Sequence, residues 1–592
     1  MCGLVAALFN NSSELTSWQT AIHHVMDHMY KRGPDANGLW MEKKIILGHR
    51  RLSILDLDVR SNQPMHTKDG RYHIVFNGEI YNYKILRSAL EAKGFVFHTQ
   101  SDTEVLLTLF AVEGEQMLPR LRGMFAFAIW DTIKEELFIA RDVYGIKPLY
   151  YLRTPQGVLV ASQVKAIVAS GLVKSGIEPA GLAGFYLWGS VPEPWTLYPD
   201  LWAVPAGHWI KIRGTHIQEP VCWYDLRQAW CTPPHPWREE DVYSAVRDSV
   251  RAHLVSDVPV GLFLSGGIDS GVIAGLMAEF QVPTEAISIG FDVFQGKRED
   301  ELPRAAQIAA HYGLAHHQYT VGREEFVMDL SQIRQDMDQP SIDGVNTWFA
   351  SKAAAARGYR VVLSGVGGDE LFCGYSTFKQ LPQLAQWGRM INKVPGALRG
   401  LKTVGALIDD KIGHTKWAQL PDALGSIDQL YRLSRGLFSP GDLPQLMGME
   451  SARLGLERLN HHPASHVSSD LPEDLQALSF LESTHYLRHQ LLRDSDWASM
   501  SHSLELRTPL VDGHLLLALA PYTANFANGR GKRCLARTLK NRLPEAVARA
   551  PKTGFSVPMQ LWYEGIHDPQ VAKESWARQW AKIVIKDFIA CE

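Results

Sequence analysis

The hexapeptide at 265–270, Ser-Gly-Gly-Ile-Asp-Ser, constrains the fold more tightly than any other part of this chain. The apolar run before it, 258–264, predicts a buried strand of a parallel sheet, and 271–280 predicts a helix packed back on that sheet. The loop therefore joins the carboxyl end of a strand to the amino end of a helix, where unpaired backbone N–H groups and the helix dipole attract a phosphate. Asp269 would repel that phosphate unless a divalent cation lay between them, which predicts bound Mg²⁺.

A second glycine-rich segment, 364–370, follows another predicted strand at 359–363. Loops at the carboxyl ends of neighbouring parallel strands place a ligand in the crevice between them. We therefore expect Ser364 and Gly365 to contact a nucleotide, and Asp369 to be the second carboxylate near the metal and the pyrophosphate.

The amino terminus predicts a different chemistry. Cys2 precedes a short apolar strand at 4–9. If Met1 is removed, Cys2 carries a free α-amine with a pKa of ~7.7–8, and an amine within reach of a thiol can act as its general base. Cys2 is therefore a candidate N-terminal nucleophile.

These motifs resemble known families. The hexapeptide at 265–270 resembles the PP-loop of the ATP pyrophosphatases, which cleave ATP to AMP and pyrophosphate. Over about the first 200 residues, the order and spacing of motifs resemble the N-terminal-nucleophile glutaminase domain of class II amidotransferases. Those motifs lie at 31–35, 48–54, 76–82, 101–107, 122–131 and 141–151. The full set, from Cys2 to Pro558, resembles the glutamine-hydrolysing asparagine synthetase family.

The resemblance implies a fold of two classes, α+β followed by α/β. An αββα glutaminase domain of the N-terminal-nucleophile hydrolase type is expected over 2–200, and a strand-bearing linker rich in proline and tryptophan over 201–237. A parallel-sheet α/β ATP pyrophosphatase domain with added helices is expected over 238–592, with a helical insertion at 380–480. The interface between the domains should be apolar, because ammonia must pass between them without escaping.

The resemblance also implies the residues of a glutaminase site. They are the nucleophile Cys2, the oxyanion-hole groups Asn77 and Gly78, and the glutamine-binding residues Arg50, Glu79 and Asp102. A guanidinium suits the α-carboxylate of glutamine, carboxylates suit its α-ammonium, and neutral donors suit a tetrahedral oxyanion. Arg51 is expected to point to the other face of its strand, in a structural role.

For the synthetase site the resemblance implies contacts to ATP and pyrophosphate from two loops and an adenine-binding strand. These contacts are Phe263, Leu264, Ser265, Gly266, Gly267, Asp269, Ser270, Ile289, Ser364 and Gly365. Asp269 and Asp369 are expected to bind Mg²⁺. Lys552 is expected to balance charge while an acyl-adenylate forms and is attacked by ammonia.

The implied reaction is the ATP-dependent amidation of a carboxylate through an acyl-AMP, with glutamine as nitrogen donor and aspartate as the favoured acceptor. One departure bears on the acceptor: Val366 occupies the position where bacterial and human asparagine synthetases typically carry glutamate. Either Glu370, Asp343 or Glu505 replaces that carboxylate, or the acceptor is a sugar acid, a peptide or a natural-product acid. A glutaminase-only or non-catalytic binding protein is the remaining alternative.

Composition excludes several other classes of protein. The net charge of −3, without a dominant basic block, argues against a nucleic-acid partner. No apolar run approaches the ~20 residues that span a bilayer. Six cysteines in 592 residues, without a C-x-x-C pair, are not a disulfide framework. We therefore expect a cytoplasmic enzyme with no membrane partner; the oligomeric state is open, a homodimer being one candidate.

Overall fold

The computed structural model describes residues 2–233, 236–393, 419–461, 471, 473–551, 557–563 and 575–589. Its first half contains two antiparallel sheets. The strands are β1 (Gly3–Phe9), β2 (Ala36–Glu42), β3 (Ile45–Arg51), β4 (Met65–His66), β5 (Tyr72–Ile80), β6 (Gly123–Asp131), β7 (Glu136–Arg141), β8 (Tyr150–Arg153), β9 (Gly157–Ala161), β10 (Leu201–Ala203), β11 (His208–Arg213), β12 (His216–Ile217) and β13 (Val221–Cys222). One sheet has the order β10-β8-β9-β1-β3-β2, and the other has the order β12-β11-β7-β6-β5-β4, with β13 beside β11.

Four helices cover the outer faces of these sheets: α1 (Leu15–His28), α2 (Tyr83–Glu91), α3 (Asp102–Glu113) and α4 (Val164–Ala169). Two more helices of this half, α5 (Pro179–Trp188) and α6 (Arg227–Cys231), pack against the second half. Along β1, Leu4, Ala6 and Leu8 pack against the second sheet, whereas the alternate residues pack against α1 and α4. The period of two along a strand thus buries both faces of β1. The result is the expected αββα order of layers.

The second half is built on a parallel sheet with the order β16-β15-β14-β17-β18. Its strands are β14 (Val260–Phe263), β15 (Glu285–Phe291), β16 (Ala315–Val321), β17 (Val361–Leu363) and β18 (Glu505–Arg507). Both faces of this sheet are buried, since Val361 and Leu363 belong to one apolar cluster and Val362 to another. The expected α/β class is confirmed.

The helices of this half follow the chain in order. They are α7 (Glu239–His253), α8 (Ile268–Glu279), α9 (Leu302–Tyr312), α10 (Arg323–Asp336), α11 (Val345–Ala356), α12 (Gly368–Leu371), α13 (Thr377–Ile391), α14 (Leu420–Ala423), α15 (Ile427–Arg435), α16 (Leu443–Met447), α17 (Met449–His461), α18 (Asp474–Leu481), α19 (Arg493–Met500), α20 (Gly513–Leu519), α21 (Arg530–Arg537), α22 (Glu545–Ala548), α23 (Met559–Tyr563) and α24 (Trp576–Ile589). A π-helical segment, Glu482–Leu492, joins α18 to α19. Within the described ranges, no helix is long and apolar enough to cross a bilayer.

One boundary expected for the first half needs correction. Strands β10 to β13 belong to the antiparallel sheets, so the N-terminal unit extends through residue 222 rather than ending near 200. The motif at 141–151 joins two strands, since β7 ends at Arg141 and β8 begins at Tyr150. The loop between them is held by the buried carboxylate of Asp142, which accepts hydrogen bonds from the backbone N–H groups of Tyr144, Ile146 and Lys147 at 3.0–3.1 Å.

The two halves share an apolar core and several ion pairs. One cluster contains Leu52 and Ile54 from the first half together with Val250 and Leu510 from the second. At the rim of this contact, Arg122 forms ion pairs with Asp248 and Asp512 at 2.7 Å. The interface is therefore apolar in part, and buried ion pairs cross it as well, among them Arg32 with Asp496.

Candidate active sites

Cys2 lies immediately before β1 and is 8% exposed. Its backbone N–H donates to Asn77 Oδ1 over 3.0 Å, and Asn77, on β5, is fully buried. The other end of that amide, Nδ2, has no hydrogen-bond partner within the described residues. A buried donor without an acceptor costs free energy, so Asn77 offers a preorganised N–H beside the thiol. This geometry suits an oxyanion hole.

Gly78 follows Asn77 at a place where β5 and β6 come too close for a side chain. Its φ of +152° is unfavourable for other residues, and a Cβ there would lie 2.1 Å from the Met124 carbonyl oxygen. Glycine therefore allows β5 to adopt this backbone conformation close to β6, between Asn77 and the next candidate site residue, Glu79.

Two buried carboxylates, Glu79 and Asp102, face the same region. Asp102 is the first residue of α3, and the Ser101 side chain caps this helix by accepting from the Thr103 N–H at 3.0 Å. Burial raises the pKa of Asp102 to about 6 and raises that of Glu79 well above its usual range. The Glu79 Oε2 atom has no hydrogen-bond partner within the described ranges. Such carboxylates gain by binding an ammonium group.

The two arginines of β3 point to opposite sides of the strand. Arg50 points to helix α1, where it donates to the Met26 carbonyl at 2.9 Å and to Asp27 at 2.7 Å. Arg51 lies on the side of Cys2, where its charge lowers the pKa of the thiol against the larger rise that burial causes. Its guanidinium also donates to the Asp58 carbonyl at 3.0 Å and to Asn62 Oδ1 at 2.7 Å, so it holds the loop that follows β3. Neighbouring residues on a strand face opposite sides, and the identity of the dipeptide alone does not tell which side is which.

At the synthetase site the two glycine-rich loops are in contact. Strands β14 and β17 are hydrogen-bonded neighbours with Leu262 opposite Leu363, so the loops after them emerge side by side. A Cβ on Gly365 would lie 2.8 Å from the Ser270 backbone nitrogen, and one on Gly368 would lie 2.4 Å from Asp269 Oδ1. Glycine at these positions lets the second loop pack directly on the PP-loop.

Hydrogen bonds of its own two serines fix the conformation of the PP-loop. Ser270 Oγ accepts from the Ser265 N–H at 3.1 Å, and the two hydroxyls are 3.0 Å apart. Ser265 Oγ in turn accepts from the Gly267 N–H at 3.2 Å. Gly267 is the N-cap of α8, so the loop lies at the positive end of a twelve-residue helix, as the sequence predicts.

The two predicted metal carboxylates converge on one cation. The Lys532 ammonium, on α21, forms ion pairs with Asp269 and with Asp369, the latter at 2.9 Å. Attraction to both carboxylates raises the Lys532 pKa above its usual value. Asp269 and Asp369 are therefore close enough to share a positive ion. No group of three or more His, Cys, Asp or Glu that could hold a metal occurs among the described residues, so other ligands would come from phosphate or water.

The remaining predicted ATP contacts lie around these loops. Phe263 ends β14 and is partly buried, while the Leu264 N–H donates to the Ile287 carbonyl at 2.9 Å. Ile289, on β15, is buried, and the Ser364 N–H donates to the Arg507 carbonyl at 2.8 Å. Gly266 packs against Arg304, where a Cβ would lie 2.9 Å from the Arg304 Cβ.

Lys552 lies outside the described residues, and its role stays a prediction.

A chain of buried ionic contacts links the two sites. Arg32 is 2% exposed; its Nε donates to the Cys2 carbonyl at 3.1 Å, and its two Nη atoms donate to Asp496 at 2.7 and 3.2 Å. Asp496 lies on α19 of the second half, and the Lys147 ammonium is 3.8 Å from it. On the other side of the contact, Arg507 of β18 lies 3.6 Å from Glu79. The glutaminase site is thus built directly against the synthetase sheet.

Comparison with known proteins agrees with this division. A family model described as a glutamine amidotransferase domain matches residues 1–223, and one described as asparagine synthase matches residues 241–578. The chain belongs to the asparagine synthase family. It is 32% identical to the glutamine-hydrolyzing asparagine synthetase 1 of Bacillus subtilis, over 100% of this chain and 92% of that protein. It is 31% identical to the glutamine-hydrolyzing asparagine synthetase B of Escherichia coli, over 64% of this chain and 66% of that one. It is also 28% identical to Amidase chyE of Penicillium rubens, over 95% and 90% of the two chains.

Within the asparagine synthase family, the departure at Val366 gains a structural context. Val366 is partly buried and packs on the core. Its side chain is uncharged, so this position of the second loop carries no carboxylate. Of the three carboxylates considered as replacements, Glu505 is paired with Arg507 on the glutaminase side. Glu370 is buried and accepts from the Tyr375 hydroxyl at 2.6 Å, and Asp343 lines a separate cavity.

Reasoning from the sequence missed three of the residues that organise these sites. Lys532 had a signal, since it follows Gly531 at the start of a helix, but a lone lysine does not indicate its partners. Arg32 and Asp496 are 464 positions apart, and only the fold brings them together.

Proposed function

We propose that this protein uses ATP to activate a carboxylate as an acyl-AMP and amidates it with nitrogen taken from glutamine. One observation supports this proposal: the same chain carries two arrangements. Cys2 is hydrogen-bonded to Asn77, and Asp269 of the PP-loop and Asp369 both form ion pairs with the Lys532 ammonium. A glutaminase alone has no use for the second arrangement.

At the first site, the Cys2 thiolate attacks the amide carbon of glutamine, and the α-amine of Cys2, once Met1 is removed, takes the thiol proton. The Asn77 Nδ2–H and the Gly78 N–H stabilise the oxyanion. The C–N bond breaks, ammonia leaves with the proton, and water hydrolyses the thioester to glutamate. We assign the substrate's α-carboxylate to Arg51 rather than Arg50, and its α-ammonium to Glu79 and Asp102.

At the second site, an oxygen of the acceptor carboxylate attacks the α-phosphorus of ATP, and the bond to pyrophosphate breaks. Ammonia then attacks the acyl carbon, AMP leaves, and a proton is released. The PP-loop N–H groups and Lys532 bind the phosphates. Asp269 and Asp369 are the residues that fit Mg²⁺, which when bound would neutralise charge on the departing pyrophosphate. We assign charge balance at the acyl-adenylate to Lys552.

Two acceptors are open to this chemistry. Aspartate is one, because the asparagine synthetases of Bacillus subtilis and Escherichia coli are relatives. A different carboxylate is the other, because Val366 removes a carboxylate from the second loop and a relative of similar length carries the name amidase.

The test is acid-dependent exchange between pyrophosphate and ATP, with AMP and amide measured in the same samples. The proposal predicts exchange that needs an acid, and amide formation when glutamine or ammonia is added. An enzyme that hydrolyses glutamine but supports no exchange with any acid in a broad panel would contradict the proposal.

A further inference from the structure

A cavity of about 460 Å³ lies apart from the residues of the two candidate sites described above, and none of its described lining residues belongs to loop 364–370. Contacts connect it to that loop. Glu370 accepts from the Tyr375 hydroxyl at 2.6 Å, and the Arg435 guanidinium lies over the Tyr375 ring at 4.5 Å and over the Tyr486 ring at 3.9 Å. Arg435 and Tyr486 line the cavity. These contacts, through Tyr375, link the cavity to the end of the second glycine-rich loop.

The size of the cavity is the first argument about the acceptor. Pockets of 300–1,000 Å³ hold ligands of drug size, which are several times larger than a four-carbon amino acid. A second cavity of about 990 Å³ adjoins the first, and the two share Trp188, Pro192, His485 and His489 as lining residues. The space therefore suits an acceptor larger than aspartate.

Charge is the second argument. Aspartate presents an α-carboxylate besides the one that is amidated, and a carboxylate needs an uncompensated cation to leave water. Among the described residues that line the 460 Å³ cavity the guanidinium is that of Arg435, and it already forms a bidentate pair with the buried Glu482 at 2.8–3.1 Å. The adjoining cavity is lined by Arg227, Arg432 and Arg488, of which Arg227 pairs with Asp225 and Arg488 donates to the Tyr144 carbonyl. Burial and nearby arginines lower the pKa of His485 to about 4 and that of His489 well below its usual range, so both rings are neutral at pH 7. Asp343 matches an α-ammonium, so the charge argument concerns the α-carboxylate alone.

Surface chemistry is the third argument. The walls combine aromatic rings, neutral hydrogen-bonding groups and aliphatic side chains. They include the indoles of Trp188 and Trp576, the rings of Tyr431 and Tyr486, the side chains of Ser190 and Gln490, and those of Ile342, Val345, Val557 and Met559. Aromatic rings cover the C–H face of a saturated ring, while hydroxyls, amides, neutral imidazoles and a carboxylate bind its hydroxyl groups. This combination suits a polyhydroxylated ring.

We propose that the acceptor is a sugar acid: a six-membered sugar ring that lies in this cavity with its carboxylate directed to loop 364–370. This inference rests on the proposed function and specifies its acceptor. Trp188 covers one face of the sugar ring, and Asp343 accepts hydrogen bonds from sugar hydroxyls.

The experiment compares glucuronate, galacturonate, their methyl glycosides, aspartate and a benzoate as acceptors in ATP–pyrophosphate exchange, with mass measurement of the amide. We expect exchange and amide formation with at least one sugar acid, at a kcat/KM at least about tenfold above that of aspartate. Exchange with aspartate or benzoate but with none of the sugar acids would overturn this inference and leave the proposed function standing. Exchange with no acid at all would overturn both.

Two variants of residues that line the cavity test whether the acceptor binds there. We expect Trp188→Ala and Asp343→Asn each to raise the KM for the sugar acid about tenfold and to leave glutamine hydrolysis unchanged. The matched control is Trp387→Ala, because Trp387 is 63% exposed and is not among the residues that line the cavity. Binding of the sugar acid, followed by tryptophan fluorescence without ATP, gives a second readout. An unchanged KM in both cavity variants would contradict the proposal even if a sugar acid proves to be amidated.

Discussion

The two candidate sites differ in how their charges are arranged before any substrate arrives. At the glutamine site, Asn77 and Asp102 are fixed by backbone hydrogen bonds from neighbouring strands, and the Asn77 Nδ2 donor points to no acceptor within the described residues. At the ATP site, the Asp269 and Asp369 carboxylates are matched by Lys532. The first site is therefore preorganised for a neutral amide and a developing oxyanion. At the second site, the ion pairs of Lys532 with Asp269 and Asp369 must be replaced by contacts to a charged ligand when the ligand binds.

This difference predicts that the two sites can be inactivated separately. The largest effect is expected from Cys2→Ala, which should lower glutamine-dependent amide formation by about 10³-fold or more, because the variant lacks the proposed nucleophilic thiol. Synthesis from added ammonia should stay within about twofold of wild type, since ATP chemistry does not use the thiol. The measurement is amide formation with each nitrogen source; loss of both activities would contradict two independent sites.

The complementary change is Asp369→Asn. It removes one of two carboxylates that would hold the metal and orient Lys532, and we expect AMP formation to fall by about 10²–10³-fold with either nitrogen source. Hydrolysis of glutamine should continue. Asp241→Asn, at an exposed residue of α7, is the matched control and should change neither rate. Equal activity of the two variants would show that Asp369 has no role with phosphate.

The two arginines of β3 test which side chain binds the α-carboxylate of glutamine. Arg51→Lys should raise the KM for glutamine by about 10–100-fold, since a charge-assisted bond is worth ~1.5–3 kcal/mol and lysine cannot form the bidentate contact. Arg50→Lys should change that KM by less than about twofold, because Arg50 pairs with helix α1. Steady-state kinetics of glutamine hydrolysis decide between them, and the opposite order of effects would restore the assignment made from the sequence.

Asp102 predicts a pH dependence at the glutamine site. Its pKa of about 6 means that the carboxylate, the form that binds an ammonium group, dominates only above that pH. The kcat/KM for glutamine hydrolysis should therefore rise with pH through about 6, by up to about tenfold per unit below the pKa. Asp102→Asn should lower kcat/KM and remove this limb of the profile. An unchanged acidic limb in the variant would assign the titration to another group.

The Arg32–Asp496 pair offers the smallest and most specific effect. Arg32→Lys keeps the charge, but a lysine cannot contact both the Cys2 carbonyl and Asp496. Because the two sites would then be coupled less tightly, glutamine hydrolysis should exceed AMP formation by a few-fold. This ratio corresponds to a coupling free energy between the sites of about 0.5–2 kcal/mol. Arg122→Lys is the control, because Arg122 also bridges the two halves but its ion pairs are with Asp248 and Asp512. Identical ratios of glutamate to AMP in both variants would remove any special role for Arg32.

Much of the fold was predictable, and the exceptions have physical causes. The PP-loop between β14 and α8 follows from an apolar run and a glycine pair, and both signals are local. Strand β18 escaped detection because Glu505 and Arg507 are buried as an ion pair, and charged residues in a sequence favour a surface loop. Strand β16 includes His316 and His317, because an edge strand tolerates polar residues that do not give the apolar pattern of a buried strand.

The candidate sites were predictable in composition but not in geometry. Cys2, Asn77, Gly78 and Asp102 come together as expected, because each belongs to a motif with fixed local structure. The direction of Arg50 depends on which face of β3 packs on α1, a property of the assembled layers. The cavity lined by Trp188, Asp343 and Tyr486 joins segments about 300 residues apart in sequence, and no local pattern indicates it.

The most direct test of the central claim is to follow the amide nitrogen of glutamine through one turnover. With glutamine labelled by heavy nitrogen in its amide, together with ATP, Mg²⁺ and the accepted acid, we expect the label in the amide product and equal amounts of glutamate, AMP and amide. Release of the label only as free ammonia, with no AMP formed, would show that the chain hydrolyses glutamine without joining the two reactions.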